Sequence, residues 1–237
     1  MYTKKLFLLT ILCLFSSLAW SQEPVIKINT SFGIITVKLF PEKAPRTVEN
    51  FLQNIEEGMY EGAIFHRLID NFIIQGGGYD ENFNPITANE PIINESRNSL
   101  KNNKGTISMA RFESDVDSAD NQFFINLRDN NSLDATSNDM GYTVFGQVID
   151  GMKSIEKISK NPIEDRGQPN FREAPLQNLI IYSIDSNIPS YSNYSRPDNQ
   201  AGGKSESNIL IPASSGTGFA VSHDGHIITN HHVIDAC

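Results

Sequence analysis

A cation, an aromatic ring and an amide recur at close spacing in one stretch, Phe65-His66-Arg67-Leu68-Ile69-Asp70-Asn71-Phe72-Ile73-Ile74-Gln75-Gly76-Gly77. Side chains alternate along a strand, so a hairpin here would bring Arg67, Phe72 and Gln75 within reach of one surface. A guanidinium beside a ring and an amide makes an amphipathic groove suited to a peptide. The competing reading puts Phe65 and Phe72 in the core and pairs Arg67 with a carboxylate. On this stretch alone the competing reading is the stronger.

Three further stretches change the balance: Ser108-Met109-Ala110-Arg111, Asn121-Gln122-Phe123-Phe124-Ile125-Asn126 and Tyr142-Thr143-Val144-Phe145-Gly146-Gln147-Val148. Taken in order with the first, they make residues 25–185 resemble the cyclophilin family of peptidyl-prolyl cis-trans isomerases. Four motifs in sequence are a specific signal. The resemblance implies that Arg67 is the catalytic residue. It also implies that Phe72, Phe124 and Leu133 wall a proline pocket, and that Gln75, Ala110, Arg111 and Gln122 hold the substrate backbone. Tyr142 stands where many eukaryotic members have His and bacterial members often have Tyr. Ile73 replaces a usual Met of similar volume, and Ser132 replaces a common Trp or Phe on the pocket rim.

Rotation about an X-Pro amide transfers no proton and needs no nucleophile, metal or cofactor. His66 is therefore read as a structural histidine beside the groove rather than as a general acid. The implied partners are proline-containing polypeptides and unfolded clients. A different class of function remains open beside the enzyme: a module that binds proline peptides with negligible turnover and presents them to a fused protease.

The elements that must position these residues are mostly short strands. Residues 25–40 read as a hairpin around Thr30-Ser31-Phe32-Gly33, with Ile35, Val37 and Leu39 alternating against Thr36 and Lys38. A helix follows from Pro45, with Val48, Phe51, Leu52 and Ile55 as its apolar face and Gly58 as its stop. Strands are expected at 64–69, 72–75, 106–110, 122–127, 142–149 and 179–184. A second helix near 151–159 turns Met152, Ile155 and Ile158 inward. Eight strands and two helices predict a mainly β fold, a closed antiparallel barrel capped by the helices, with its binding site on the outer wall.

The two ends of the chain differ from this middle. Residues 1–21 read as a signal peptide: Lys4 and Lys5 precede an apolar run at 6–20, and Ala19 and Ser21 suit cleavage before Gln22. Export to the periplasm or the exterior of a bacterium follows, with no stable membrane insertion once the signal is removed. Cys13 leaves with it and Cys237 is terminal, so no internal disulfide is expected. A formal charge of −9 argues against nucleic acid as a partner.

The isomerase domain is assigned to 22–186 and a flexible linker, rich in Ser, Asn, Pro and Gly, to 187–208. Residues 209–237 contain Gly216-Thr217-Gly218-Phe219-Ala220-Val221-Ser222 and Thr229-Asn230-His231-His232-Val233. They resemble the opening hairpin of a trypsin-like serine protease of the bacterial quality-control type, with His232 in the place of the catalytic base. The segment is read as a truncated beginning that lacks the rest of a triad.

Overall fold

The structure is a computed structural model that describes residues 24–188 and the backbone pairing of residues 220–221 with 227–228. The first hairpin forms as its alternation predicts. Strands β1 (Val25–Thr30) and β2 (Gly33–Leu39) pair antiparallel from Val25↔Lys38 to Thr30↔Gly33. Ile26, Ile28, Ile35, Val37 and Leu39 are fully buried on the inner face.

Helix α1 (Pro45–Glu56) follows. Then come β3 (Arg67–Ile69), β4 (Ile73–Gly76), β5 (Thr106–Met109), β6 (Phe123–Asn126) and β7 (Val144–Asp150). Helix α2 (Met152–Ile158) leads to a small separate ribbon of β8 (Ile163–Glu164) and β9 (Ala174–Pro175). Strand β10 (Ile181–Ser186) completes an antiparallel sheet ordered β10-β1-β2-β7-β5-β6-β4-β3. Beyond it, β11 (Ala220–Val221) pairs with β12 (Ile227–Ile228) in a separate unit.

The fold is thus mainly β with two helices, but the ladder is a curled sheet and not the continuous closed barrel expected. Strands β10 and β3 stand at its two ends and share no ladder. The stretch before β3 meets the stretch before β10 through the isolated bridge Ile64↔Ile180 and through Gly62 N–H donating to the Ile181 carbonyl at 2.9 Å. Phe65 N–H still donates to the Leu179 carbonyl at 2.9 Å, but Leu68 N–H, in β3, donates to the carbonyl of Glu173 at 2.8 Å.

Inside the curl, Phe51 of α1 packs on Phe145 at 5.0 Å, Tyr60 at 5.2 Å and Phe123 at 5.5 Å between ring centroids. Offset and edge-on rings of this kind fill volume while matching their quadrupoles. The buried face of α1 is rotated from the one expected. Thr47, Asn50 and Asn54 are buried beside Val48, Phe51 and Leu52, whereas Ile55 is only partly covered. The two asparagines face inward because their amides donate to the Asp120 carbonyl, while the Tyr60 hydroxyl donates to the Asn121 carbonyl at 2.9 Å. Burial pushes the Tyr60 phenol above its usual range, so it stays a neutral donor. Helix α1 therefore clamps the start of β6.

The expected signal peptide (1–21), nearly all of the linker (187–208) and the tail with His232 lie outside the described residues. Among the described residues no helix is long and apolar enough to cross a membrane.

Nothing on Ala44 can cap α1, and Glu95 does so from a distant loop. Its carboxylate accepts from Thr47 N–H at 2.9 Å, Thr47 Oγ1 at 2.8 Å and Arg46 N–H at 3.1 Å. A carboxylate at a helix N-terminus satisfies orphan donors and the dipole together. Glu95→Ala should destabilise the domain by about 1–2 kcal/mol and lower Tm by several degrees in thermal unfolding. An unchanged Tm would contradict the capping role.

Candidate functional site

Strand register separates the core from the site. Arg67 pairs with Gln75, and Gln75 with Phe124, so these three side chains share the outer face. One residue along, Leu68 pairs with Ile74, Ile74 with Ile125, and Ile125 with Ile107, and all four are fully buried. The Asp70-Asn71 turn between β3 and β4 has Asn71 at φ 52°, a left-handed conformation that Asn tolerates, and brings Phe72 back to the outer face.

The outer face forms a cavity of about 410 Å³. All ten of the groove residues expected from the sequence line it: Arg67, Phe72, Ile73, Gln75, Ala110, Arg111, Gln122, Phe124, Leu133 and Tyr142. Both readings of the first stretch hold in part. Phe65 is core and Arg67 does pair with a carboxylate, that of Glu173 at 3.2 Å, yet Phe72 and Arg67 also line the cavity.

The polar side of the cavity is a chain of contacts. Arg67 Nη1 donates to Gln75 Oε1 at 3.4 Å, and Gln75 Nε2 donates to Gln122 Oε1 at 3.1 Å. Gly78 makes room for this arrangement, since a Cβ there would lie 2.5 Å from the Gln122 side chain. The apolar side is built around Tyr142. Its ring meets Phe124 edge-on at 5.6 Å, and the Arg111 guanidinium stacks over it at 4.7 Å.

The Arg111 side chain also makes contacts within the protein. Its guanidinium donates to the carbonyls of Phe112, Met140 and Gly141, so the side chain holds the loop that carries Tyr142. That loop closes at Gly141, where a Cβ would collide with the Leu133 carbonyl and the Ala135 nitrogen. Tyr142 N–H then donates to the Leu133 carbonyl at 2.9 Å, tying the two apolar wall residues together.

Ser132 is exposed on the short turn Asn131–Leu133 and does not line the cavity, although its neighbour Leu133 does. Phe112, Glu113, Ser118, Asp120, Pro169 and Asn170 complete the lining, and nothing in their local sequence marked them.

His66 lines the cavity from below, 1% exposed, with its ring edge-on to Tyr79 at 4.7 Å and to Phe171 at 6.2 Å. Burial and then the adjacent Arg67 charge push the imidazole down to about 3, against a smaller opposing pull from the Ile64 backbone. Nδ1 has no hydrogen-bond partner among the described residues. At neutral pH the ring is an uncharged, packed spacer.

Known proteins similar to this chain share its family and fold. A family model described as cyclophilin type peptidyl-prolyl cis-trans isomerase/CLD matches residues 25–186. A peptidyl-prolyl cis-trans isomerase of Acinetobacter baylyi is 42% identical over 160 residues, covering 68% of this chain and 84% of that one. Peptidyl-prolyl cis-trans isomerase B of Escherichia coli is 40% identical over 163 residues, covering 68% of this chain and 98% of its own. Among solved structures, a Cryptosporidium parvum cyclophilin-type isomerase, crystallised in the presence of the dipeptide Ala-Pro, superimposes with a TM-score of 0.56 at 27% identity. The match covers 68% of this chain and 96% of that one.

The depressed imidazole carries a stability signature. Between its ordinary value of 6.5 and about 3, the unfolded chain binds a proton that native His66 refuses. Stability should therefore fall as pH drops through that window, by up to about 1.4 kcal/mol per unit. Thermal unfolding of wild type and His66→Phe from about pH 6.5 to 5, above the carboxylate range, isolates this group. The variant should show the shallower loss, and equal slopes would contradict the assignment.

Proposed function

The chain belongs to the cyclophilin-type peptidyl-prolyl cis-trans isomerase family and is an enzyme of that class, and from this we propose that Arg67 is its catalytic residue. The observation that carries the reading is the convergence of Arg67, Gln75 and Gln122 with Phe72, Phe124, Leu133 and Tyr142 on one cavity.

An X-Pro amide resists rotation by roughly 18–20 kcal/mol because its nitrogen lone pair is delocalised into the carbonyl. In the twisted transition state the lone pair returns to a pyramidal nitrogen, which becomes a hydrogen-bond acceptor. A guanidinium fixed beside it donates there and gains little in the planar ground state, so binding energy lowers the barrier. The apolar wall of Phe72, Phe124 and Leu133 takes the proline ring, and Ile73 fills the floor between β3 and β6. Gln75, Gln122 and the backbone at Ala110 and Arg111 hold the flanking peptide, and Tyr142 closes the apolar end. No proton is transferred at any step, which agrees with a neutral, buried His66.

The substrate class is the X-Pro bond of polypeptides, including the unfolded chains of exported proteins. Export rests on the composition of residues 1–21 and leads to the periplasm or the bacterial exterior. The reading of residues 209–237 as the beginning of a trypsin-like protease domain, with His232 as its base, rests on its glycine-rich and Thr-Asn-His-His-Val stretches. The short pairing of β11 with β12 agrees with a hairpin there.

Arg67→Ala should lower kcat/KM toward an Ala-Pro peptide by about two to three orders of magnitude, the usual scale for one transition-state donor, while peptide affinity changes far less. Near-full activity in that variant would sink the mechanism. Wild type that binds the peptide without turning it over would leave only the binding-module reading. For the domain assignment, limited proteolysis should cut within 187–208 and release a fragment ending near residue 186 with full isomerase activity. Loss of activity on cutting would show that the tail belongs to the isomerase fold.

A further inference from the structure

An arginine side chain has many rotamers, and a cation that must meet a transient nitrogen lone pair works best if it is held before the substrate arrives. Two contacts hold this one. Arg67 Nε–H donates to Glu173 Oε2 at 3.2 Å, and Nη1 donates to Gln75 Oε1 at 3.4 Å. Nε and Nη1 are different corners of one rigid plane, so together they fix both the position and the tilt of the guanidinium. The Nη2 donors have no acceptor among the described residues, and Arg67 lines the cavity.

The Glu173 carboxylate is itself on a supported backbone. Its own carbonyl accepts from Leu68 N–H at 2.8 Å, directly beside Arg67 in β3. Two residues earlier, Phe171 is buried between Tyr79 at 4.8 Å and Phe83 at 4.9 Å. One residue later, β9 begins and pairs with β8. The carboxylate thus reaches Arg67 from a segment 106 residues away that is pinned on both sides.

We propose that Glu173 is a positioning residue for the isomerisation, holding the Arg67 guanidinium in the orientation that meets the proline nitrogen. The proposal rests on Arg67 being the catalytic residue. Glu173 acts through Arg67 alone, and it contributes to kcat and not to peptide binding.

The test is a double-mutant cycle of Glu173→Ala and Glu173→Gln, each alone and combined with Arg67→Ala. The readouts are kcat and KM on an Ala-Pro peptide, with Tm measured for each variant. Glu173→Ala should lower kcat about tenfold with KM nearly unchanged. Glu173→Gln keeps an oxygen that can accept from Nε–H and should lose only about threefold; if the alanine variant does not fold, the glutamine variant carries the cycle. In the Arg67→Ala background neither change should lower kcat further. Full kcat in both single variants, or a loss that persists without Arg67, overturns the inference and leaves Arg67 as the catalytic residue. Full activity in Arg67→Ala overturns the assignment of Arg67 and this inference with it.

Discussion

Burial fixes the register of β3 against β4 and β6, and every feature of the site depends on that register. Leu68, Ile74, Ile125 and Ile107 form a row across four strands with no exposed surface. Each fully buried aliphatic side chain contributes about 1.5–3 kcal/mol, so the row stabilises the pairing by about 6–12 kcal/mol. That is comparable to the whole stability of an ordinary domain, about 5–15 kcal/mol. A slip of one residue would expel this row and drive Arg67 and Gln75 into the core. The same arithmetic that makes the core therefore aligns Arg67, Gln75 and Phe124 outside it.

The aligned face gains its chemistry from contacts perpendicular to the strands. Helix α1, through Asn50 and Asn54, and Tyr60 in the turn after it set the start of β6, which fixes where Gln122 and Phe124 emerge. Buried asparagines link the apolar walls: Asn130 Nδ2 donates to the Phe72 carbonyl at 2.9 Å and Asn102 Nδ2 to the Leu133 carbonyl at 3.0 Å. Asn126 joins them, accepting from Asn130 at 2.7 Å and donating to Asn102 at 3.2 Å. Satisfied networks of this kind are rigid, and a rigid wall leaves less of the peptide's binding energy to be spent on ordering protein.

Much of this was legible from local pattern. The alternation at 25–40 predicts β1 and β2, and the stretch around Arg67 predicts a hairpin, whereas its groove residues were assigned through the resemblance of four ordered motifs to the cyclophilin family. What was not legible is non-local. The turned face of α1 follows from Asp120, some seventy residues away, which accepts from Asn50. Strands β8 and β9 are two residues each and too short to show any period. Glu173 has no motif around it, and only the fold brings it to Arg67. Arg111 was visible as a cation near the groove, but the carbonyls that occupy it belong to loops whose path the sequence does not spell out. The open ladder between β3 and β10 is equally non-local: backbone bonds join Gly62, Ala63 and Phe65 to Leu179 and Ile181, and Leu68 then donates to Glu173 instead.

The central claim is that an oriented guanidinium, and not charge alone, lowers the barrier to rotation. Exchange NMR on an Ala-Pro peptide saturating either wild type or Arg67→Lys tests it directly, because it reads interconversion of the bound peptide apart from affinity. Lysine keeps the charge but is a point donor that cannot be held at one corner while donating from another. The account predicts that bound-state interconversion in Arg67→Lys falls by about two orders of magnitude with Kd nearly unchanged. Interconversion at the wild-type rate in that variant would contradict it.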